Sequence, residues 1–316
     1  MKHKEWTQNP TRFLAMTGYS IATFNALLPY FVDIHDRHYA EFDIQGNKRS
    51  GARKYVIYQN SPLLTHKDRL AFILSYLKLN PLQEAHADLF GMQQKQCNEF
   101  IHSLKIVLDK TLCSLGAMPA ATDRELQEKL KVMEKAEDKN LLHDGTEREI
   151  PRPKDSQAQK ENYSGKKKKH TVKNAVITTF SCIVLFLSTT VNGKVHDKKM
   201  ADTLYSIRKG FVLWQDTGYQ GYAPQGVDIK QPVKKKKGEE LNDEQKEFNR
   251  QISQVRVRIE HAIGSMKRYR IVKDECRVRK TGFVQTVLHT CAALHNFRLQ
   301  KKPWQYPDYQ PVVKPT

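Results

Sequence analysis

A chain of 316 residues is long enough for one large domain with one or two small ones, and it can bury a sizeable core. Its formal net charge of +19, with an isoelectric point near 9.6, points to a polyanionic partner, nucleic acid ahead of an anionic membrane surface. The longest apolar run, Cys182–Leu187, is far too short to span a bilayer, and the opening MKHKEWTQNP carries no apolar signal region. Five cysteines without a CxxC pair read as reduced core thiols, so a cytoplasmic protein without a zinc site is expected.

Residues 1–61 are predicted as an N-terminal helical segment. Ile21, Phe24, Leu27, Leu28 and Phe31 keep helical spacing behind a Ser20 N-cap, Pro29 marks a kink or boundary, and Gly46 to Ala52 form a basic loop. Over 62–113, Thr65 with Asp68 caps LAFILSYLKL, Pro81 ends that helix, LQEAHADLF forms a short second one, and Gly91 breaks the chain before a third. This order is that of a helix-turn-helix. In the third helix Cys97, Phe100, Ile101 and Leu104 face inward, while Gln93, Gln94, Lys95 and Asn98 face outward with groups suited to base edges and phosphates. An ordinary three-helix bundle has the same pattern, and the net charge favours DNA contact. Residues 114–138 read as a helical linker whose charged helix is solvated.

Residues 139–300 change texture. LLHDGTERE predicts a short strand ending at Asp144 and a glycine turn, and a basic segment then ends in YSGKKKK, where Lys167 and Lys168 are candidate phosphate contacts. HTVKNAVITTF and CIVLFLST form hairpin-like strands, Asn192-Gly193 a turn, and His196-Asp197 opens a helix. FVLWQDTGYQGY is a strand ending at Asp216, and a second lysine block at 234–237 precedes the next helix. The last helix spans 283–299, with His289 and His295 as satisfied core histidines, and the tail 301–316 is expected to be loose.

The helix around Ser253–Lys267 organises this half. At about 100° per residue, Ile252, Val255, Ile259, Ile263 and Met266 fall in one apolar stripe, with Arg256, Glu260 and Lys267 beside it. That places Glu260 at a buried edge between two cations, or in a plain i,i+4 pair with Arg256 on the surface. Asp144, Asp216 and Glu260 are oxygen donors of the kind Mg²⁺ prefers, and two ions roughly 4 Å apart would activate a nucleophile at a phosphodiester. The competing reading for each Asp before a glycine is a turn residue, Asp197 reads equally as an N-cap, and Asp202 is a further acid that spacing leaves open. No phosphate-binding loop, dinucleotide fingerprint, HExxH or zinc spacing is present.

At these residues the chain resembles bacterial insertion-sequence transposases of the insertion-sequence-five group, relatives of Harbinger-type DDE endonucleases. DGTERE, RPKD, YSGKKKKHTVKN, GKVHDKK, DTGYQGY, RVRIEHAIGSMKRYRIVKD and CAALHNFRL are similar to their catalytic core, and the first 113 residues to their N-terminal part. The resemblance implies an α/β, RNase H-like catalytic domain, a mixed sheet flanked by helices, behind an all-α helix-turn-helix domain. It assigns Asp144, Asp216 and Glu260 to a triad binding two Mg²⁺ (with Mn²⁺ as substitute) and brings Arg256 and Lys267 to DNA near the cleaved phosphate. Ser253 stands where the family has Tyr, and His196 and Asp197 match a recurrent pair of unstated role. The implied activity is metal-dependent cleavage and strand transfer at terminal inverted repeats of double-stranded DNA. A homodimer or higher assembly on DNA, nucleoid-associated and without membrane contact, would carry it. The alternatives are a sequence-specific DNA-binding protein with a decayed core and a non-transposing nuclease of the same fold.

Overall fold

The computed structural model of the chain describes residues 2–50, 55–165, 167–235, 238–278 and 282–307. The chain forms two compact units, one of residues 1–118 with 267–274, the other of 119–266 with 275–316.

The first unit is all helical: α1 (Lys2–Thr7), α2 (Pro10–Thr17), α3 (Ile21–Glu41), α4 (His66–Leu79), α5 (Gln83–Phe90) and α6 (Gln94–Ser114), with a one-turn helix at Arg270–Lys273. Its centre is α4, where every residue from Asp68 to Leu77 is buried, so the helix is surrounded rather than amphipathic. The Thr65 side chain accepts from the Asp68 amide as the N-cap, and Asn80 ends the helix in the left-handed region, at φ 49°. Ser20 caps α3 as expected, but α3 continues through Pro29 without ending. Gly91 closes α5 with its amide on the carbonyls of Ala87 and Asp88, and φ of 66° there suits glycine. Residues 267–274 belong to this unit through two contacts: Lys78 donates to the Arg268 carbonyl at 2.9 Å, and the Tyr269 ring lies 3.2 Å from where a Cβ on Gly18 would stand.

The second unit is a mixed sheet with helices. Its elements are α7 (Asp123–Met133), β1 (Asn140–Glu149), α8 (Ser156–Asn162), β2 (Tyr163–Ser164), β3 (Lys169–Thr179), β4 (Val184–Leu187), β5 (Val191–Asn192), α9 (Asp197–Leu204), β6 (Val212–Gln215), β7 (Asp228–Lys230), α10 (Asp243–Met266) and a terminal helix, Phe283–Lys301. The sheet runs β2-β3-β1-β6-β7, with β4 and β5 also pairing β3. β1 is antiparallel to β3 and parallel to β6, and β6 is parallel to β7. β1 does not end at Asp144. It runs on to Glu149, with Asp144 opposite Val176 and Gly145 opposite Ala175, so the glycine is a strand residue and not a turn.

The predicted linker helix is part of this unit's core. Leu126 and Leu130 of α7 are fully buried beside Leu141, Ile177, Phe186 and Leu213, and the preceding Ala120 bonds Leu185 and Leu187 along β4. The charge-rich composition had masked two leucines at i,i+4 spacing. The segment 302–307, expected to be loose, lays Trp304 and Tyr306 on Cys182, Ala262 and Leu299, where aromatic surface finds an apolar patch. Residues from 308 on lie outside the described residues, as do Gly51 and Ala52 of the basic loop. Four of the five cysteines are buried; Cys113 is exposed on α6. Among the described residues no helix is long and apolar enough to cross a membrane.

Truncating Leu130, which has 0 % exposure, should remove a core contact of the second unit. Leu130→Ala is expected to lower stability by about 2–5 kcal/mol in urea denaturation of the full chain. An unchanged midpoint would show α7 to be a solvated spacer.

Candidate active site

The parallel pairing of β1 with β6 is in register from Asn140↔Val212 to His143↔Gln215. The next residue on each strand is an aspartate. Asp144 and Asp216 therefore start from neighbouring backbones about 4.8 Å apart, on the same face of the sheet. Beyond this point β1 continues along β3, whereas the β6 chain turns into a short 3₁₀ helix at Thr217–Tyr219, capped by Asp216 itself. The Asp216 carboxylate accepts from the Thr217 amide at 2.6 Å and the Asp144 carboxylate from the Gly145 amide at 2.8 Å.

Between them comes Arg256. Its helix α10 packs on β1 and β6 through Phe248, Ile252, Val255, Ile259 and Met266, all buried on one stripe. One guanidinium nitrogen lies 3.6 Å from Asp144 Oδ2 and another 3.6 Å from Asp216 Oδ1. Arg256 is 12 % exposed and Asp144 24 %, so the charges meet with little water between them. Burial pushes the Asp144 carboxyl above its ordinary value; Arg256 and the Gly145 amide oppose that, while Asp216 and Asp197 add to it.

Strand alternation puts Gly145 and Glu147 on the other face of β1. There a second group of charges stands. The Lys173 ammonium lies 3.2 Å from Asp197 and 3.3 Å from Glu147, which also accepts from Ser164 and Thr171. A Cβ on Gly145 would meet Asp197 Oδ1 at 3.3 Å, and one on Gly218 would meet Oδ2 at 3.0 Å. A side chain at either glycine would press on that carboxylate, which comes close to the residues following Asp144 and Asp216. Asp197 is the first residue of α9 and not its cap; His196 holds the cap position. Tyr219, 1 % exposed, stacks on His143 at 3.8 Å with its hydroxyl 3.5 Å from the same Gly145 position, and that hydroxyl has no hydrogen-bond partner. Burial lowers the His143 pKa to about 3, so its ring is neutral at physiological pH.

Glu260 follows Arg256 by one helical turn, about 6 Å along the axis. It is exposed, not at a buried edge, because the apolar stripe turns away from it, and the ion pairs of Arg256 go to the two aspartates instead. Ser253 is exposed and its hydroxyl donates to the Asn249 carbonyl. Lys267 follows the end of α10 and is counted with the first unit. In the first unit Gln93, Gln94 and Lys95 are exposed at the start of α6, while Gln94 and Asn98 both donate to Gln83 of α5. Lys167 and Lys168 are exposed in the turn before β3; Lys166, Lys236 and Lys237 lie outside the described residues. His289 and His295 are satisfied, by the Leu187 carbonyl and by Ser265 with the Cys182 carbonyl. Sequence reasoning missed Glu147, Lys173 and Tyr219. The alternation of Gly145 and Glu147 along one strand face was the available signal for the first.

The folded state holds the Asp144 proton more tightly than the unfolded chain does. That group thus contributes stability below the ordinary value of 3.8, and the contribution is lost as pH rises through the raised folded value. Asp144→Asn is expected to melt higher than wild type at pH 7 in metal-free buffer, the gap closing towards about pH 4. A variant melting no higher at pH 7 would contradict the burial of this charge.

Residues 143–296, which contain both aspartates, Arg256 and Glu260, match the family of DDE superfamily endonucleases. A protein of Microchaete diplosiphon, described as a probable transposase for the insertion sequence element IS702, is 26 % identical over 294 residues, covering 92 % of this chain and 95 % of that one. No solved structure matches the chain. With this sheet and these paired aspartates, residues 143–296 are similar to the DDE superfamily endonucleases.

Proposed function

We propose that the chain is a DNA transposase whose second unit, RNase H-like in topology, cuts and joins DNA ends with Asp144, Asp216 and Glu260. The observation that carries this reading is the pair of aspartates that follow the last register pair of parallel strands β1 and β6, with one cationic group between them. The donor set fits a hard divalent cation: it is all oxygen, and a guanidinium already stands where two carboxylates converge. Around it four carboxylates, Asp144, Asp216, Asp197 and Glu147, face two cations, Arg256 and Lys173. Asp144 and Asp216 would hold Mg²⁺ or Mn²⁺, with Glu260 as the third ligand from α10. When bound, one or two such ions activate a water or a 3′ hydroxyl and stabilise the leaving oxygen at a phosphodiester.

The chain's own residues supply the rest. Arg256, released from its two carboxylates, offers a planar fork for a non-bridging phosphate oxygen. Asp197 approaches the backbone at Gly145 and Gly218 from the opposite face, and its pairing with Lys173 holds it there, a positioning role for the residues that follow both aspartates. His196 holds the cap position of α9 without a side-chain capping bond, so no role is assigned to it. Helices α4 to α6 follow the helix-turn-helix order, and the exposed Gln93, Gln94 and Lys95 with Asn98 are assigned to terminal inverted repeats. Lys167, Lys168 and Lys267 are assigned to the DNA backbone. Support for transposition over plain nuclease action is the similarity to a probable transposase along 92 % of this chain. Handling two ends together calls for a homodimer or higher assembly on DNA.

Plasmid DNA carrying the gene's own flanks, incubated with Mg²⁺, is expected to be cut at the flank ends by wild type. Asp216→Asn should lose about 10²-fold or more of that activity while still shifting end DNA on a gel. Undiminished cutting by Asp216→Asn would overturn the triad. Binding without any cutting by wild type would leave a DNA-binding protein with a decayed core. Independently, Mg²⁺ should raise the melting temperature of wild type and not that of Asp144→Asn.

A further inference from the structure

The first unit has a half-open pocket of about 320 Å³ that no part of the cleavage chemistry uses. Its walls include Tyr39, Tyr55, Tyr58 and Phe100, Arg49 and Arg69, and Gln96. Tyr39 and Tyr55 are stacked, with centroids 4.9 Å apart and planes 18° apart. Arg49 stands over the Tyr55 ring at 5.5 Å, and Arg69 lies 5.6–5.9 Å from the rings of Tyr39, Tyr55 and Phe100.

Arg69 is 3 % exposed and rigidly held. It donates to the Leu63 carbonyl at 3.2 Å, to the Tyr55 hydroxyl at 2.6 Å and to His35 Nε2 at 2.8 Å. That last bond fixes the His35 tautomer. With Nε2 accepting, Nδ1 carries the proton and donates to Asp36, which His66 also bonds. His35, Asp36 and His66 have donor atoms within 4.8 Å of one another, the spacing of a metal site. A metal on Nδ1 would force a proton onto Nε2, facing the Arg69 N–H donor-to-donor. The trio is therefore a support for Arg69 rather than a cation site.

We propose that this cavity is a nucleotide-binding pocket, taking one nucleobase against its aromatic walls and the attached phosphate on Arg49. Flat rings beside fixed guanidinium planes suit a planar heterocycle, and every base has a face to stack. An aliphatic ligand would leave two arginines without a partner anion, and the one lining carboxylate, Asp43, is already engaged by the Asn47 amide and side chain. The volume is at the low end of ligand pockets, about 300–1,000 Å³, enough for a single nucleotide and not a strand. Gln96 also belongs to the first turn of α6, between Lys95 and Asn98, so one pocket wall shares a helical turn with the residues assigned above to DNA. A base turned out of a duplex held there would reach it; this source rests on the DNA-binding reading of α6, whereas a free nucleotide would not.

Photocrosslinking of the full chain separates the two. Free 5-iodo-2′-deoxyuridine 5′-monophosphate, and flank duplexes with 5-iodouracil moved through the sequence, are irradiated with the protein and adducts are mapped by mass spectrometry. Adducts on Tyr55 or Tyr58 are expected. Their yield should fall about fivefold or more in Arg49→Ala and Tyr58→Ala, with melting temperatures unchanged. Adducts with the free nucleotide alone establish the pocket as a small-molecule site, and adducts at one duplex position establish an everted base. Adducts only elsewhere, or none with either probe while the duplex is bound, overturn the pocket. If the duplex is not bound at all, the reading of α6 fails and the free nucleotide alone decides.

Discussion

The second unit is organised by the register between β1 and β6. Because the two strands run parallel and pair residue for residue up to His143 and Gln215, the next positions place two carboxylates side by side. A slip of one residue would send Asp216 to the opposite face, since side chains alternate along a strand. The register is held by burial on both faces: Leu141, Leu142, Leu213 and Trp214 are fully enclosed. Two adjacent carboxylates repel, and one of them is mostly buried, so the arrangement persists in a folded chain only with a counter-charge close by. Arg256 supplies it. Its position follows from the buried stripe of α10, which fixes the helix on β1 and β6 and leaves that side chain pointing at the pair.

Much of this was legible from residues alone. The apolar spacing of α10, the caps at Ser20 and Thr65, the glycine stop at Gly91 and the strand before Asp216 all follow from local rules, and they were met. What local rules could not give is pairing. Asp144 followed by glycine looks like a strand meeting a turn, yet Gly145 is a paired strand residue whose missing side chain makes room for Asp197 from α9. The exposed position of Glu260 was also hidden, because a helical wheel gives neighbours along one helix and not the depth at which the helix sits. Charge density misled at α7, where two leucines decide the packing and the many charged residues around them do not.

The two faces of the sheet carry different electrostatic designs. On the α10 side a guanidinium spans two carboxylates at 3.6 Å, an ion pair longer than a hydrogen bond. On the α9 side Lys173 sits among Asp197, Glu147 and the Val195 carbonyl at 3.2–3.3 Å, and Glu147 is further tied by two hydroxyls. The second group is a scaffold. The first is a single cation shared by two carboxylates, without further hydrogen bonds tying it in place among the described contacts.

The path of the backbone has a consequence for how the molecule is made. Residues 267–274 complete the helical first unit, through Lys78 and Gly18, although they are encoded after most of the second. A ribosome that has released residues 1–118 has not yet supplied that piece, and folding during synthesis is largely by units from the N-terminus. The first unit therefore closes only once Asp144, Asp216 and Glu260 have all been polymerised, so a nascent chain cut short before residue 267 leaves both its sheet-containing unit and its helical unit incomplete.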